Sequence, residues 1–134
     1  MSEDITLEGK TTFFPIIDKQ SRNPIYEQFI EQVERNILLG NIQENEQLPS
    51  VRSMSVLLSV NPNTLQKAYI ELERQKISYS VPGSGRFIAV GAKSIVMKEK
   101  LKLLEPLKVI VSELKLAGAE LNFIISTVKE EFNK

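Results

Sequence analysis

The first helical pattern in the chain lies between positions 24 and 39. Apolar side chains recur there at intervals of four residues, at Ile25, Phe29, Val33 and Ile37. That spacing places all four on one face of an α-helix. Proline is tolerated in the first turn of a helix, and glycine commonly ends one. We therefore predict a first helix that begins at Pro24 and stops at Gly40.

Two shorter helical patterns follow, separated by a tight break within LSVNPNTLQKAY at residues 58–69. The second helix is predicted to open at Pro49–Ser50 and to run to 58 or 59, with an apolar stripe at Val51, Met54, Leu57 and Leu58. The third is predicted from 62 to about 75, with a stripe at Leu65, Ala68, Tyr69 and Leu72. Asparagine caps helix starts well, and proline suits the first helical position. Asn61 and Pro62 therefore predict a rigid start for the third helix.

Two β-prone segments come next, at 77–81 and 86–90, and the turn sequence PGSG joins them as a hairpin. Two helices at a tight turn followed by a hairpin is the order of a winged helix-turn-helix. We predict a fold that is mainly α with a small β-hairpin wing, in a domain at 13–90. Residues 1–12 lack periodicity and predict a flexible tail. FFPII at 13–17 predicts a short edge strand, because Pro15 cannot pair in a sheet interior.

A C-terminal region at 91–134 is helical again. One helix is predicted from 93 to about 115, bent by Pro106, and a second from about 120 to 132 after Gly118. Each carries an apolar stripe, and two short helices cannot bury both stripes alone. We therefore expect a two-helix appendage that packs against its own copy in a homodimer.

Composition removes much of the usual chemistry of active sites. The chain has no cysteine and no histidine, so it lacks thiolates and the commonest general base and metal ligand. We expect no enzyme activity, no metal and no cofactor. The first ten residues are polar and acidic, and no apolar run approaches the ~20 residues that span a bilayer. A cytoplasmic protein without a membrane partner is the resulting expectation.

The net charge is zero, but the charges are segregated. Residues 47–92 carry five basic and two acidic side chains, whereas residues 23–46 carry one basic and five acidic ones. Random fluctuation explains these counts as well as a functional segregation of charge does. The basic stretch therefore matters only if it also has the geometry of a recognition surface.

The outward face of the third helix has that composition. At 100° per residue, Asn63, Lys67, Ile70 and Arg74 lie opposite the apolar stripe, and Thr64 and Gln66 flank them. Asparagine, glutamine and lysine read base edges in the major groove, and threonine suits phosphate or a thymine methyl group. A solvated polar face without any partner is the alternative interpretation.

Two further positions fit contacts with the DNA backbone. Ser50 and Arg52 lie where the first helix of such a motif crosses the phosphates, although Ser50 could be a simple cap and Arg52 a surface ion pair. The glycine-rich PGSG tip is small enough to enter the minor groove, with Arg86 beside it to meet phosphate. The tip could equally be an ordinary turn.

Four motifs in order give a specific resemblance. PIYEQF at 24–29, LPSVR at 48–52, VNPNTLQKAYIELE at 60–73 and GSGRF at 83–87 resemble the signature blocks of GntR-superfamily transcriptional regulators, and the YtrA-like subfamily in particular. The resemblance implies a homodimeric bacterial regulator with its winged helix on double-stranded operator DNA. Our first hypothesis is a repressor on a palindromic operator, and the sequence leaves activation open as the alternative. It also implies that the C-terminal helices form the dimer. The DNA-contacting positions that it carries over are Ser50, Arg52, Asn63, Thr64, Gln66, Lys67 and Gly83.

The chain departs from the family at three positions. Lys76 replaces a glycine that usually follows the third helix, and Pro82 and Ser84 replace frequent basic residues of the wing. Arg86 could restore one of the lost charges. The weaker wing supports an alternative, a winged-helix module that binds protein instead of DNA. The C-terminal region is too small to enclose an effector, so a small-molecule signal would have to bind at the dimer interface or near Gly91.

Overall fold

The structure, a computed structural model, describes residues 13–134. Within that range it contains six helices and one hairpin: α1 Ile25–Leu39, α2 Val51–Leu58, α3 Pro62–Arg74, β1 Ser78–Val81, β2 Gly85–Ile88, α4 Ala92–Leu101, α5 Leu104–Leu116 and α6 Leu121–Phe132. The prediction of a mainly helical fold with a β-hairpin wing is confirmed. The predicted tail at 1–12 lies outside the described residues. The chain divides into two compact units, one ending at Lys98 and the other spanning Glu99–Lys134.

The core of the first unit is built from the predicted apolar faces of its helices. Phe29 of α1 stacks on Tyr69 of α3 with ring centroids 5.5 Å apart, and both side chains are fully buried. Met54 brings α2 into the same cluster. Leu57, which the stripe on α2 predicts as buried, is instead 37% exposed, because the short helix turns only part of its apolar surface inward.

The turn between α2 and α3 has the predicted rigid form. Ser59 ends α2 in the left-handed conformation with φ 54°, and Asn61 caps α3. The side-chain oxygen of Asn61 accepts a hydrogen bond from the backbone N–H of Asn63 at 2.7 Å. Pro62 is the first residue of α3, where its missing N–H has no helical partner to lose.

The wing is a tight antiparallel hairpin that is anchored to the segment before α2. Its register pairs Ser78 with Ile88 and Val81 with Gly85, so both strands are shorter than the predicted segments. Leu48 donates its N–H to the carbonyl of Arg86, so the segment before α2 lies along the edge of the hairpin as a third extended segment. Gly85 has φ 124°, and a Cβ atom there would lie 2.6 Å from Nε2 of Gln47. The positive φ favours glycine here, because residues with a side chain rarely adopt it, and a Cβ atom would also displace the flexible amide of Gln47.

The predicted edge strand at 13–17 is wrong. These residues form no strand, because the side chain of Gln32 on α1 satisfies the backbone there. Its Oε1 accepts from the N–H of Ile16 at 2.7 Å, and its Nε2 donates to the carbonyl of the same residue. Phe13 and Pro15 anchor the segment by burying their side chains.

The single bent helix predicted from 93 to 115 is also wrong. The structure ends α4 at Leu101 and starts α5 at Leu104, so that Pro106 falls in the first turn of α5. Proline in the middle of a helix would clash with the carbonyl four residues earlier and lose a hydrogen bond, whereas the first turn tolerates it. The break upstream of Pro106 removes that conflict.

The second unit has no core of its own. No residue of α5 or α6 is buried, and large apolar side chains of both helices are 37–87% exposed. Within the described residues, no helix is long and apolar enough to cross a bilayer.

Candidate nucleic-acid interface

The predicted recognition residues of α3 come together on one accessible face. Asn63 and Lys67 are exposed, and Thr64 and Gln66 are half-buried beside them. Their positions are fixed from behind, because Leu65, Ala68, Tyr69 and Leu72 of the same helix are fully buried. The face begins in the first turn of α3, directly after the Asn61 cap.

Lys67 is held toward α1 on one flank of this face. Its Nζ atom lies 4.0 Å from the centroid of the Tyr26 ring, a cation–π contact. Tyr26 in turn donates its hydroxyl proton to Glu27 Oε2 at 3.2 Å. The two residues line a groove between α1 and α3 that also contains Asn63, Gln66 and Ile70. The position of the Lys67 side chain is therefore set by Tyr26, a residue outside the helix-turn-helix.

Arg74, at the far end of the same face, is paired within α3. Its Nε and Nη2 atoms donate to Glu71 at 2.9 and 2.5 Å. The hydrogen bonds from Arg74 and Gln75 lower the pKa of Glu71 from 4.5 to about 2. Arg74 is therefore paired with a neighbour one turn away.

The start of α2 places Ser50 and Arg52 side by side with different roles. Ser50 is the N-cap: its Oγ accepts from the N–H of Ser53 at 3.0 Å and lies 3.0 Å from the Ser53 hydroxyl. Arg52 is exposed and forms no ion pair with any residue between 13 and 134. The amide-rich end of α2 and this guanidinium together suit a phosphate.

Gly83 and Arg86, the two residues of the wing predicted to contact DNA, face different surroundings. Gly83 is exposed at the tip, with φ 80° in a turn closed by the hydrogen bond from Ser84 N–H to the Val81 carbonyl at 2.9 Å. Arg86 points instead toward α3, and its side chain is only 27% exposed. Its Nε lies 3.7 Å from Glu73 Oε1, and its guanidinium carbon lies 5.4 Å from the Tyr69 ring centroid.

Tyr69 links this arginine to the start of α2. Its hydroxyl donates to the Pro49 carbonyl at 2.7 Å, immediately before the Ser50 cap. Burial raises the pKa of Tyr69, and the nearby charge of Arg86 offsets part of that effect. Ser80 adds a second tie between wing and helix, since its hydroxyl donates to Glu73 Oε1 at 2.8 Å. Wing, α3 and α2 are therefore held in one arrangement.

Sequence reasoning missed the partners that position these groups. In the sequence, Tyr26 stands out only as part of the PIYEQF motif, and Glu73 only as one of the two acidic residues between 47 and 92. The interval between Tyr26 and Lys67 carries no periodic signal, because the two meet through the packing of α1 on α3. Gln28 of PIYEQF serves the fold: its amide bonds the backbone of Asp18 and Asn23. The described residues hold no cluster of side chains suited to a metal.

The chain is similar in sequence to known bacterial regulators. The family model described as bacterial regulatory proteins, gntR family, matches residues 25–88. The HTH-type transcriptional repressor YtrA of Bacillus subtilis is 38% identical over 115 residues, which cover 85% of this chain and 88% of that protein.

Two solved structures are similar over most of the chain. A transcriptional regulator from Oenococcus oeni is 31% identical with a TM-score of 0.72, covering 89% of this chain and 99% of that one. A GntR family transcriptional regulator from Listeria monocytogenes is 31% identical with a TM-score of 0.66, covering 85% and 98%. These similarities confirm the predicted family: the chain belongs to the gntR family of bacterial regulatory proteins.

Proposed function

We propose that this protein is a homodimeric transcriptional repressor that binds a palindromic operator through α3. Membership of the family makes it a DNA-binding transcriptional regulator. The observation that carries the finer proposal is the exposed face of α3, where Asn63, Gln66 and Lys67 follow a capped and rigid helix start. The assignment as a repressor follows the similar protein YtrA, which is named as one.

In this proposal α3 enters the major groove. Asn63, Gln66 and Lys67 offer the donors and acceptors that read base edges, and Thr64 lies beside them within reach of the backbone. Ser50 and Arg52 hold a phosphate at the start of α2, using the free amides of that helix end. Gly83 brings the wing tip close to the DNA, since a residue without a side chain allows the backbone to approach.

Arg86 has a different role in the proposal. Its guanidinium forms an ion pair with Glu73 and lies over the Tyr69 ring, so it helps to hold the wing against α3. The affinity of the wing for DNA then comes from the shape of its tip, because Pro82 and Ser84 bring no charge.

The dimer is proposed to form through α5 and α6. Their exposed apolar side chains are too numerous for a free surface in water. They include Leu104, Leu107, Ile110, Val111, Leu114, Leu121, Phe123, Ile125, Val128 and Phe132. A second copy buries both stripes at once and gives the two-fold symmetry that a palindrome needs. We propose domains at 13–90 for DNA and 91–134 for the dimer. We assign no catalytic role and no cofactor, and place the protein in the cytoplasm with its DNA.

Selection from a random pool of DNA duplexes by the purified protein tests this function. A palindromic consensus is the expected result. Binding of that consensus should weaken with salt at a log–log slope of about −4. Arg52 and Lys67 are the two cations of each subunit that this proposal places at the DNA, and each releases about 0.9 counterions where it meets a phosphate. A pool without enrichment, or binding that ignores salt, would instead favour a winged-helix module that binds protein.

A further inference from the structure

Ile70 is an exposed apolar side chain at the centre of the proposed recognition face. It is 55% exposed, although isoleucine is among the residues most often found inside proteins. Two grooves meet at this side chain. One is shared with Tyr26, Asn63 and Lys67, and the other with Glu73, Arg74, Ser80 and Arg86. No residue of the first unit from position 13 onward covers it.

The two basic side chains on either side of Ile70 contact other residues and do not cover it. Lys67, one turn before it, leans on the Tyr26 ring, and Arg74, one turn after it, is paired with Glu71. Beyond its first two turns, the outward face of α3 therefore offers DNA the apolar surface of Ile70.

The major groove contains one apolar group that such a side chain can recognise. Thymine carries a methyl group on C5, whereas cytosine carries only hydrogen there. Ile70 follows Asn63 by seven residues, so it lies about 10 Å farther along the helix axis. That distance corresponds to about three base steps at the spacing of B-DNA.

We propose that Ile70 is a specificity-determining residue that packs on the C5-methyl group of a thymine in each operator half-site. This inference rests on the proposed function, because it requires α3 in the major groove. It adds an apolar contact to the polar readout by Asn63, Gln66 and Lys67. The thymine lies within about three base steps of the base that Asn63 reads.

The first test compares DNA selected by three proteins from one random duplex pool. The wild type is expected to select thymine at one position of each half-site, and Ile70→Ala to lose that preference while it keeps the rest of the consensus. Ile70→Val, which removes one methylene, should retain part of it. Leu39→Ala is the matched control, since Leu39 is a 67% exposed aliphatic residue at the end of α1 and should select as the wild type does.

The second test removes the methyl group from the DNA instead. Replacing that thymine by deoxyuridine should weaken wild-type binding about fourfold per half-site, the loss expected for one buried methyl group. Ile70→Ala should bind both duplexes equally. Melting curves establish that the variants are folded.

Three results would overturn the inference. Unchanged thymine selection by Ile70→Ala refutes it while the consensus, and with it the proposed function, stands. Equal losses from deoxyuridine for the wild type and Ile70→Ala refute it in the same way. If the wild type selects no sequence at all, the proposed function fails and the role of Ile70 fails with it.

Discussion

The Nζ atom of Lys67 on α3 lies 4.0 Å from the ring centroid of Tyr26 on α1. A lysine side chain free in water samples many rotamers, and ordering it on DNA costs conformational entropy. The Tyr26 ring restricts those rotamers before DNA arrives. Through this contact, α1 affects the proposed recognition face as well as the core.

Tyr26→Leu should therefore weaken operator binding about 2- to 5-fold, since an exposed cation–π contact contributes about 0.5–1 kcal/mol. Tyr26→Phe is the matched control, because it keeps the ring and loses only the hydroxyl; it should bind within about twofold of the wild type. Dissociation constants measured by fluorescence anisotropy check both. In a Lys67→Met background, Tyr26→Leu should have no further effect. A full loss in that background would mean that Tyr26 acts through the fold instead.

Lys76→Gly should stabilise the protein. Lys76 has φ 66° at the end of α3, where the left-handed conformation costs a side-chain-bearing residue about 1 kcal/mol or more. The free energy of unfolding, from urea titration, should rise by about 1 kcal/mol. Lys98→Gly is the control: this lysine lies inside α4, and glycine there should lower the same quantity by up to about 1 kcal/mol. A loss of stability in Lys76→Gly would contradict this account.

The features that could be predicted from the sequence are those that depend on residues close together along the chain. The caps and starts of α2 and α3, the apolar faces of three helices and the turn of the wing all follow from local spacing. Lys76 was noted as a departure from a family glycine, and its positive φ gives that departure a physical meaning. The prediction of one helix across Pro106 is wrong, because local pattern does not say whether a proline bends a helix or starts a new one.

The partners of the candidate site lie beyond local pattern. Arg86 is close to the wing tip in sequence, which suggested contact with phosphate. Strand alternation and the approach of α3 turn it toward Glu73, a residue on another element. Such pairings depend on how elements pack, and one sequence alone carries no signal for them. Which residues contact DNA stays a prediction for the same reason.

Glu71 should make stability depend on pH in acid. Its pKa is about 2 in the folded protein against an ordinary 4.5, mainly through the hydrogen bond from Arg74. A lowered pKa means that the contribution is complete above pH 4.5 and is lost as the pH falls toward 2. Glu71→Gln should therefore melt below the wild type at neutral pH, and the gap should close across that range. Salt should narrow the gap at neutral pH, because an exposed ion pair is screened. A gap that is independent of pH would contradict the assignment.

Charges placed on the proposed dimer seam should produce monomers. Leu104 and Val111 are 52% and 37% exposed on the apolar side of α5, and replacing both with glutamate would bury charge between two subunits. Light scattering should report a monomer, and affinity for a palindromic duplex should fall. Ser112→Glu, on the polar side of α5, should leave the dimer intact. A double variant that remains a dimer would place the interface elsewhere.

Asn61 and Asn63 should separate stability from recognition, although they lie two residues apart. Asn61 accepts a hydrogen bond from the N–H of Asn63, and Asn61→Ala removes a cap that contributes about 0.5–2 kcal/mol. It should lower the melting temperature and weaken binding to all DNA alike, because the start of α3 loosens. Asn63→Ala leaves that cap in place and alters an exposed side chain, so stability should change by less than about 0.5 kcal/mol.

The effect of Asn63→Ala should be seen in discrimination between bases. If Asn63 reads a base, the variant should lose about 1–3 kcal/mol of preference at one position per half-site, with scrambled DNA bound as before. Lys67→Ala, measured beside it, has two distinguishable outcomes: loss at one base, or uniform weakening with a salt slope smaller by about one per subunit, which marks a phosphate contact. If both variants bound the operator as tightly as the wild type, α3 would not be the recognition helix, because these are the exposed polar side chains in its first two turns.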